Sequence, residues 1–288
     1  MNYRHIYHAG NFADLVKHII LISIISNLKK KEKPFHVLDA FAGIGLYDFE
    51  SQEMQKKREF LSGASMVLDY PGPLPDLLAQ YKTILEKYAY SGGLNSGSPK
   101  YYPGSPKIIS EYLGKNDVAD FCELHPDDFC SLSKNLRRQE NANIHNIDGY
   151  LAVKSLLPPK EKRGMILIDP PFEKLDEFEK IVTSCVQISK HYSQGSIMIW
   201  HPIKNYQKVQ DFYTSLAGLN REILRVEFAT ELSSVNLKAT GVIIINPPYI
   251  AETLSENLSF LRDKIYKAST QFSLNLLPPA TLKTRKHP

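Results

Sequence analysis

Short β-rich runs alternate with stretches of helical periodicity along most of this chain, and that alternation restricts the fold more than any other feature. The β-rich runs fall at 35–38, 118–124, 144–147, 165–168, 197–200, 223–228 and 242–245. Helical patterns at 106–113, 127–138, 150–157, 174–191 and 205–216 separate most of them, and another follows at 252–266. Strands that alternate with helices predict an α/β fold whose sheet is largely parallel, here with seven strands. Ahead of the first strand the spacing predicts a helix over 12–28, with Asn11 as its cap, Asp14 near the positive end of the dipole and apolar residues at helical spacing. The basic run 29–33 and Pro34 close it.

One stretch breaks the alternation. About sixty residues separate Gly45 from the helix near 106, too many for a structureless loop in a compact domain. The helical pattern at 74–90 within them predicts an inserted, mostly helical subdomain near 46–100. The expected organisation is a core of 1–45 and 101–277, that insertion, and a basic tail from 278 to 288. Ser105 suits the cap and Pro106 the first turn of the helix that restarts the core.

Composition excludes several classes. A 43% apolar fraction with 13 Phe and 16 Tyr fills a core, so global disorder is out. Three cysteines form no disulfide framework, which predicts a reducing, cytoplasmic setting. No apolar run approaches the roughly 18 residues of a membrane span. The net charge of +4 names no partner. His5 and His8 lack nearby carboxylate or thiolate partners at ligand spacing, so no metal is expected.

Two motifs carry chemistry. Asp39 to Gly45 is a strand end running into Gly-x-Gly, which lets a backbone approach a nucleotide-like ligand closely. Asp48 stands where a dinucleotide fingerprint needs its third glycine, which counts against NAD and FAD. Asp169-Pro170-Pro171-Phe172 follows an apolar strand. Its prolines stiffen the backbone and leave carbonyls free, Asp169 adds an acceptor, and Phe172 adds a flat face. An exocyclic amine on an aromatic base needs that set: two acceptors and a ring. Asn246-Pro247-Pro248-Tyr249 is a rival of the same type. The residues alone do not choose between the two.

Asp39-x-Phe41-x-Gly43-x-Gly45 with Asp169-Pro170-Pro171-Phe172 resembles the S-adenosylmethionine-dependent amino-methyltransferases. Tyr3-Arg4-His5, His8-Ala9-Gly10-Asn11, Lys17-His18, Tyr101-Tyr102-Pro103-Gly104-Ser105-Pro106, Glu123-Leu124-His125-Pro126 and Asp148-Gly149 extend the likeness to the bacterial RlmJ family, which methylates N6 of an adenine in 23S ribosomal RNA. The resemblance implies a class I methyltransferase fold, a Rossmann-like seven-stranded sheet. It implies S-adenosyl-L-methionine as cofactor, 23S rRNA as partner, and a monomer. It implies cofactor contacts from Lys17, His18, Phe41, Gly43, Ser105, Glu123, Asp148, Gly149 and Asp169. Catalysis falls to Asp169, Pro170 and Phe172, with Tyr3 and Phe172 on the substrate base. The implied fold favours Asp169, which would end the fourth strand beside the first, over Asn246, which ends the seventh and reads as a rigid exit turn. Glu123 is expected on the ribose hydroxyls and Asp148 on the cofactor's adenine amine, with helix capping as the alternative for Asp148. Two positions depart from the family: Phe41, where some relatives have His, and Phe172, where Tyr is commoner; stacking survives the second change.

Basic groups at 56–58, at Lys134, Arg137 and Arg138, and at Lys283, Arg285 and Lys286 are the candidate RNA contacts, the insertion foremost. Methylation of a DNA adenine or a protein glutamine, and an inactive RNA-binding module on the same fold, are the alternatives.

Overall fold

The computed structural model describes residues 4–90, 99–232, 237–267 and 270–279. Tyr3 and the basic tail with Lys283, Arg285 and Lys286 lie outside the described residues.

Helix α1 (Phe12–Lys29) starts where Asn11 Oδ1 accepts from the backbone N–H of Ala13 at 2.9 Å and of Asp14 at 3.0 Å. Residues 12 to 25 are all buried, so this helix has no solvent face over its first three and a half turns. The main sheet covers one side of it. The others are covered by α4 (Asp76–Ala89), α5 (Ser105–Tyr112) and α10 (Ala251–Phe260). Lys17 and His18, which stand off the apolar stripe in the sequence, are therefore buried as well and face the interior of the molecule.

The remaining strands follow in chain order: β1 (His36–Asp39), β2 (Leu46–Asp48), β3 (Tyr101–Pro103), β4 (Val118–Cys122), β5 (Ala142–His145), β6 (Gly164–Ile168), β7 (Ser196–Pro202), β8 (Ile223–Thr230), β9 (Ala239–Ile245) and β10 (Thr270–Leu277). The main sheet has the order β10-β8-β9-β7-β6-β1-β4-β5. Pairs β5–β4, β4–β1, β1–β6 and β6–β7 are parallel. Strand β9 runs antiparallel to both β7 and β8. Alternate residues serve opposite faces: Val37, Met165 and Leu167 point to the layer of α1, whereas Leu38, Ile166 and Ile168 point to the opposite layer. That opposite layer holds α7 (Gly149–Ser155), α8 (Glu177–His191) and α9 (Tyr206–Ala217).

The seven expected strands are all present, and the count of seven is corrected to eight. Strand β10 adds antiparallel to β8 at the edge. Its polar Gln271, Ser273 and Asn275 interrupt any apolar run, and only Thr270 is buried, so an edge strand there carries no core signal in the sequence.

Between β2 and β3 lie α2 (Gln52–Lys57), a short turn at Glu59–Ser62, α3 (Ala64–Leu68) and α4. Strands β2 and β3 pair antiparallel and close this stretch at its base. Phe60, Val67, Leu78 and Tyr81 join Ile20 and Phe35 in one apolar cluster. The N-terminal residue before α4 is Pro75, which offers no capping side chain; Asn257 on α10 supplies the acceptor instead, taking the Leu78 N–H at 3.1 Å. Helix α6 (Pro126–Leu136) follows β4 and completes the set.

Candidate active site

The parallel strands β1, β4, β5 and β6 deliver their C-terminal turns to one edge of the sheet, where order reverses about β1. Crevices at such an edge are where open α/β sheets bind ligands. The turn after β1 is stitched to both neighbours, with Ala40 N–H donating to Leu167 O at 3.0 Å and Ala42 N–H to Cys122 O at 2.9 Å. Gly43 has φ of +62°, and a Cβ there would stand 2.5 Å from the Tyr47 hydroxyl, so glycine is required on both counts. Glu123, just after β4, accepts from Gly43 N–H at 3.0 Å and His125 N–H at 2.8 Å. Burial pushes its pKa upward. Asp148 caps α7 through Oδ1, which accepts from Tyr150 and Leu151 N–H, so the capping alternative for Asp148 is observed. A Cβ on Gly149 would meet the Ala40 carbonyl oxygen at 2.2 Å, which lets that turn lie flat against the first.

These turns line a cleft of about 700 Å³. Lys17, His18, Phe41, Gly43, Ser105, Glu123, Asp148, Gly149 and Asp169 all face it, with Pro170 beside them. Phe41 packs edge-on against Tyr150, with centroids 5.1 Å apart, and forms an apolar wall. Ser105 differs from expectation in one respect. It is the first residue of α5, Gly104 takes the cap position, and the helix has no side-chain cap. Ser105 stands beside Asp39, whose carboxyl is wholly buried and therefore pushed up to about 7. Asp39 Oδ2 has no partner among the described residues.

Lys17 is fully engaged. Its Nζ donates to Asp169 Oδ2 at 2.5 Å and contacts Asp14 Oδ1 at 2.7 Å. Burial opposes the charge of Lys17, but the two carboxylates overcome it and lift its pKa above the usual lysine value. Burial likewise opposes the Asp14 carboxylate, and Lys17 and His5 outweigh it and hold its pKa well below the ordinary range. Asp14 also accepts from Gly10 N–H at 2.8 Å. His18 stacks on Tyr102 and shares a 2.9 Å hydrogen bond through Nδ1 with its hydroxyl. Burial lowers the His18 pKa to about 3, so the ring is neutral at neutral pH. Its Nε2 is buried beside the cleft without a partner among the described residues. Tyr81 of α4 reaches Tyr102 at 3.3 Å and extends this polar chain into the inserted stretch.

A second cavity of about 590 Å³ adjoins the first and shares His5, Lys17, Asp169, Pro171 and Glu173 with it. Phe172 lines the second cavity, with φ of +50° and its ring edge-on to Trp200 at 5.7 Å and Phe178 at 5.2 Å. The Asp169–Phe172 motif thus stands on the boundary of two cavities, Pro170 facing one and Phe172 the other. Asn246 lies at the opposite end of the sheet, because β9 runs antiparallel to β7. Its side-chain amide donates to Ser193 O at 3.0 Å and Gly195 O at 3.2 Å, and its carbonyl accepts from Ser196 Oγ at 2.8 Å. It clasps the turn that enters β7, as an exit turn should.

Asp39, Tyr81, Tyr102 and Trp200 are residues of the site region to which the sequence alone assigns no role. Tyr102 sits in the Tyr101–Pro106 motif, which is its only local signal. Among the described residues no group of His, Cys, Asp and Glu is arranged to hold a metal ion, and no helix is long and apolar enough to cross a membrane.

A sheet that reverses about β1, with the reversed strand β9 inserted between β7 and β8 and a cleft built on the turns after β1, β4, β5 and β6, defines the class I methyltransferase fold. The family profile "Ribosomal RNA large subunit methyltransferase D, RlmJ" matches residues 32–277. The chain is 36% identical over 274 residues to the ribosomal RNA large subunit methyltransferase J of Haemophilus influenzae, covering 94% of this chain and 96% of that protein. It is 34% identical to the protein of the same name from Escherichia coli, with the same coverage. The crystal structure of protein LPL1258 from Legionella pneumophila superposes with a TM-score of 0.85 at 30% identity, over 93% of this chain and 98% of that one. The chain belongs to the RlmJ family of ribosomal RNA large subunit methyltransferases.

Proposed function

We propose that this protein is an S-adenosylmethionine-dependent enzyme that methylates the exocyclic N6 of an adenine in 23S ribosomal RNA. The observation that carries the reading is the meeting of two cavities at Asp169 and Pro171, with the acceptor motif on their boundary. Family membership and the names of the Haemophilus and Escherichia relatives support the RNA substrate.

The first cleft fits the cofactor on its own chemistry. Glu123 and Asp148 offer carboxylate oxygens to hydroxyls and to an amine, His18 Nε2 is a buried polar atom in need of a partner, and Gly43 and Gly149 allow close approach. When bound there, S-adenosylmethionine supplies a methyl group activated by the sulfonium charge. Phe172 and Trp200 give the target base an aromatic corner in the second cavity. Lys17 engages Asp169 Oδ2, so Oδ1 remains to accept from one N6–H, and the Pro170 carbonyl accepts from the other. Those two bonds localise the N6 lone pair, which is otherwise delocalised into the ring, and oppose the positive charge that builds on N6. Catalysis is then chiefly positioning and electrostatics.

The same reading makes 1–45 and 101–277 the methyltransferase core and 46–100 an RNA-gripping insertion. It places the enzyme in the cytoplasm, and since every assigned residue comes from one chain, a monomer suffices. Labelled S-adenosylmethionine incubated separately with RNA, DNA and protein from cells lacking the protein tests it. The expected result is label in 23S rRNA alone, recovered as N6-methyladenosine on digestion. Label in DNA or protein, or on another base, would refute it.

A further inference from the structure

We propose that the mouth of the second cavity holds the phosphate-binding site for the target nucleotide, built from Lys57 at the end of α2, His8 before α1, and Lys204 after β7. The inference rests on the proposed function, which puts the base against Phe172 and Trp200. An adenosine extruded into that corner brings its sugar-phosphate to the mouth with it, because base flipping rotates the whole nucleotide about the backbone.

The cationic groups of this cavity divide into two sets. Lys17 is buried and consumed by Asp14 and Asp169. Lys57 and Lys204 stand at the surface end, Lys57 with 44% of its side chain exposed and a long 4.0 Å contact to Glu59 Oε1, and Lys204 exposed with no ion pair to a described residue. Between them the wall is organised by an unusual residue, Glu59, a carboxylate only 1% exposed. It is held by His8 Nδ1 at 2.8 Å and by the Asn11 side-chain amide at 3.1 Å. Burying that charge is costly unless it is satisfied, and the arrangement uses it to fix the His8 ring. The other ring nitrogen, Nε2, then lies 3.3 Å from Lys57 Nζ. Glu59 thus orients the His8 ring, whose Nε2 accepts one N–H of Lys57, so the ring fixes the Lys57 ammonium at the cavity wall from a second element. The ammonium has three N–H donors, and those not given to His8 are available to an oxygen anion. Of the basic cluster at 56–58, only Lys57 reaches the cavity; Arg58 adopts φ of +50° to close α2, and Lys56 is exposed away from the lining.

The test uses the full chain and a 23S rRNA fragment that the wild-type enzyme methylates, with KM for RNA measured over a range of salt. The K57A/K204A double variant is expected to raise KM by about tenfold or more at physiological salt, and to reduce the slope of log KM on log salt by about 1.4, the value for two lost single-strand phosphate contacts. Its kcat and its affinity for S-adenosylmethionine stay within about twofold of wild type, since neither lysine reaches the first cleft. H8A raises KM in the same sense. K56A removes the same charge from the next residue and leaves KM unchanged. A double variant with wild-type KM and salt slope, or one no different from K56A, overturns the proposal. A wild-type enzyme that transfers no methyl to rRNA would overturn the functional reading instead, so the two failures are distinct.

Discussion

Asp39 and Lys17 show how the same burial has opposite outcomes for neighbouring charges. Lys17 is repaid by two carboxylates, whereas burial of Asp39 outweighs the help of nearby Ser105 and Lys17 and a long 3.4 Å bond from the Phe41 N–H, and Asp169 adds repulsion. Its folded carboxyl is pushed up to about 7 from an ordinary value near 4. Above about pH 4 the unfolded chain has released this proton while the folded chain still binds it, so the contribution of Asp39 to stability declines as pH rises to about 7 and is level beyond. Urea unfolding of wild type and D39N between pH 4.5 and 8 is expected to show the variant gaining on wild type up to about pH 7; parallel profiles would contradict the assignment. At this scale, what is legible in the sequence depends on locality. Glu123, Asp148 and Asp169 each follow a strand within a compact motif, and the structure brings them to one cleft. Tyr102 hydrogen-bonds His18 from 84 residues away in the chain, and Tyr81 packs its ring against the His18 ring, long-range meetings that no local pattern announces.

Among the elements, β6 and β9 are legible because both faces of each are covered, which writes residues 165–168 and 242–245 as continuous apolar runs. The edge strand β10 and the three-residue strands β2 and β3 are not, since one is largely uncovered and the others are too short for periodicity to register. Helix α1 is legible as a helix, but its all-round burial is not, because the residues that cover its outer side come from the inserted stretch and from α10. That same α10 completes α4. Asn257 Oδ1 accepts the buried Leu78 N–H in place of the missing cap, while its amide donates to Thr253 O within α10 and so holds the side chain in position. N257A leaves a buried donor without a partner and is expected to destabilise the fold by about 1–3 kcal/mol in urea unfolding. A loss below about 0.5 kcal/mol, the range of ordinary surface changes, would show that the contact does not fasten the two elements.

Across the whole molecule, the net charge of +4 is mirrored in neither cavity, since both mix signs. Glu123, Asp148 and Asp169 line the first cleft together with Lys154, Lys174 and Lys180, and Lys57 and Lys204 line the second together with Glu59 and Glu173. The sheet brings the two cavities together at Asp169, because β6 ends beside β1 and its glycine turn. The stretch between β2 and β3 shares the core of α1 and supplies Lys57 and Glu59 to the second cavity. The proposed reaction turns on Asp169 as the acceptor for the target amine. The direct measurement is the single-turnover rate of methyl transfer to 23S rRNA by D169A, taken together with its affinity for S-adenosylmethionine. The rate is expected to fall by about 10²-fold or more while cofactor affinity stays within a few-fold. Turnover near that of wild type would contradict it.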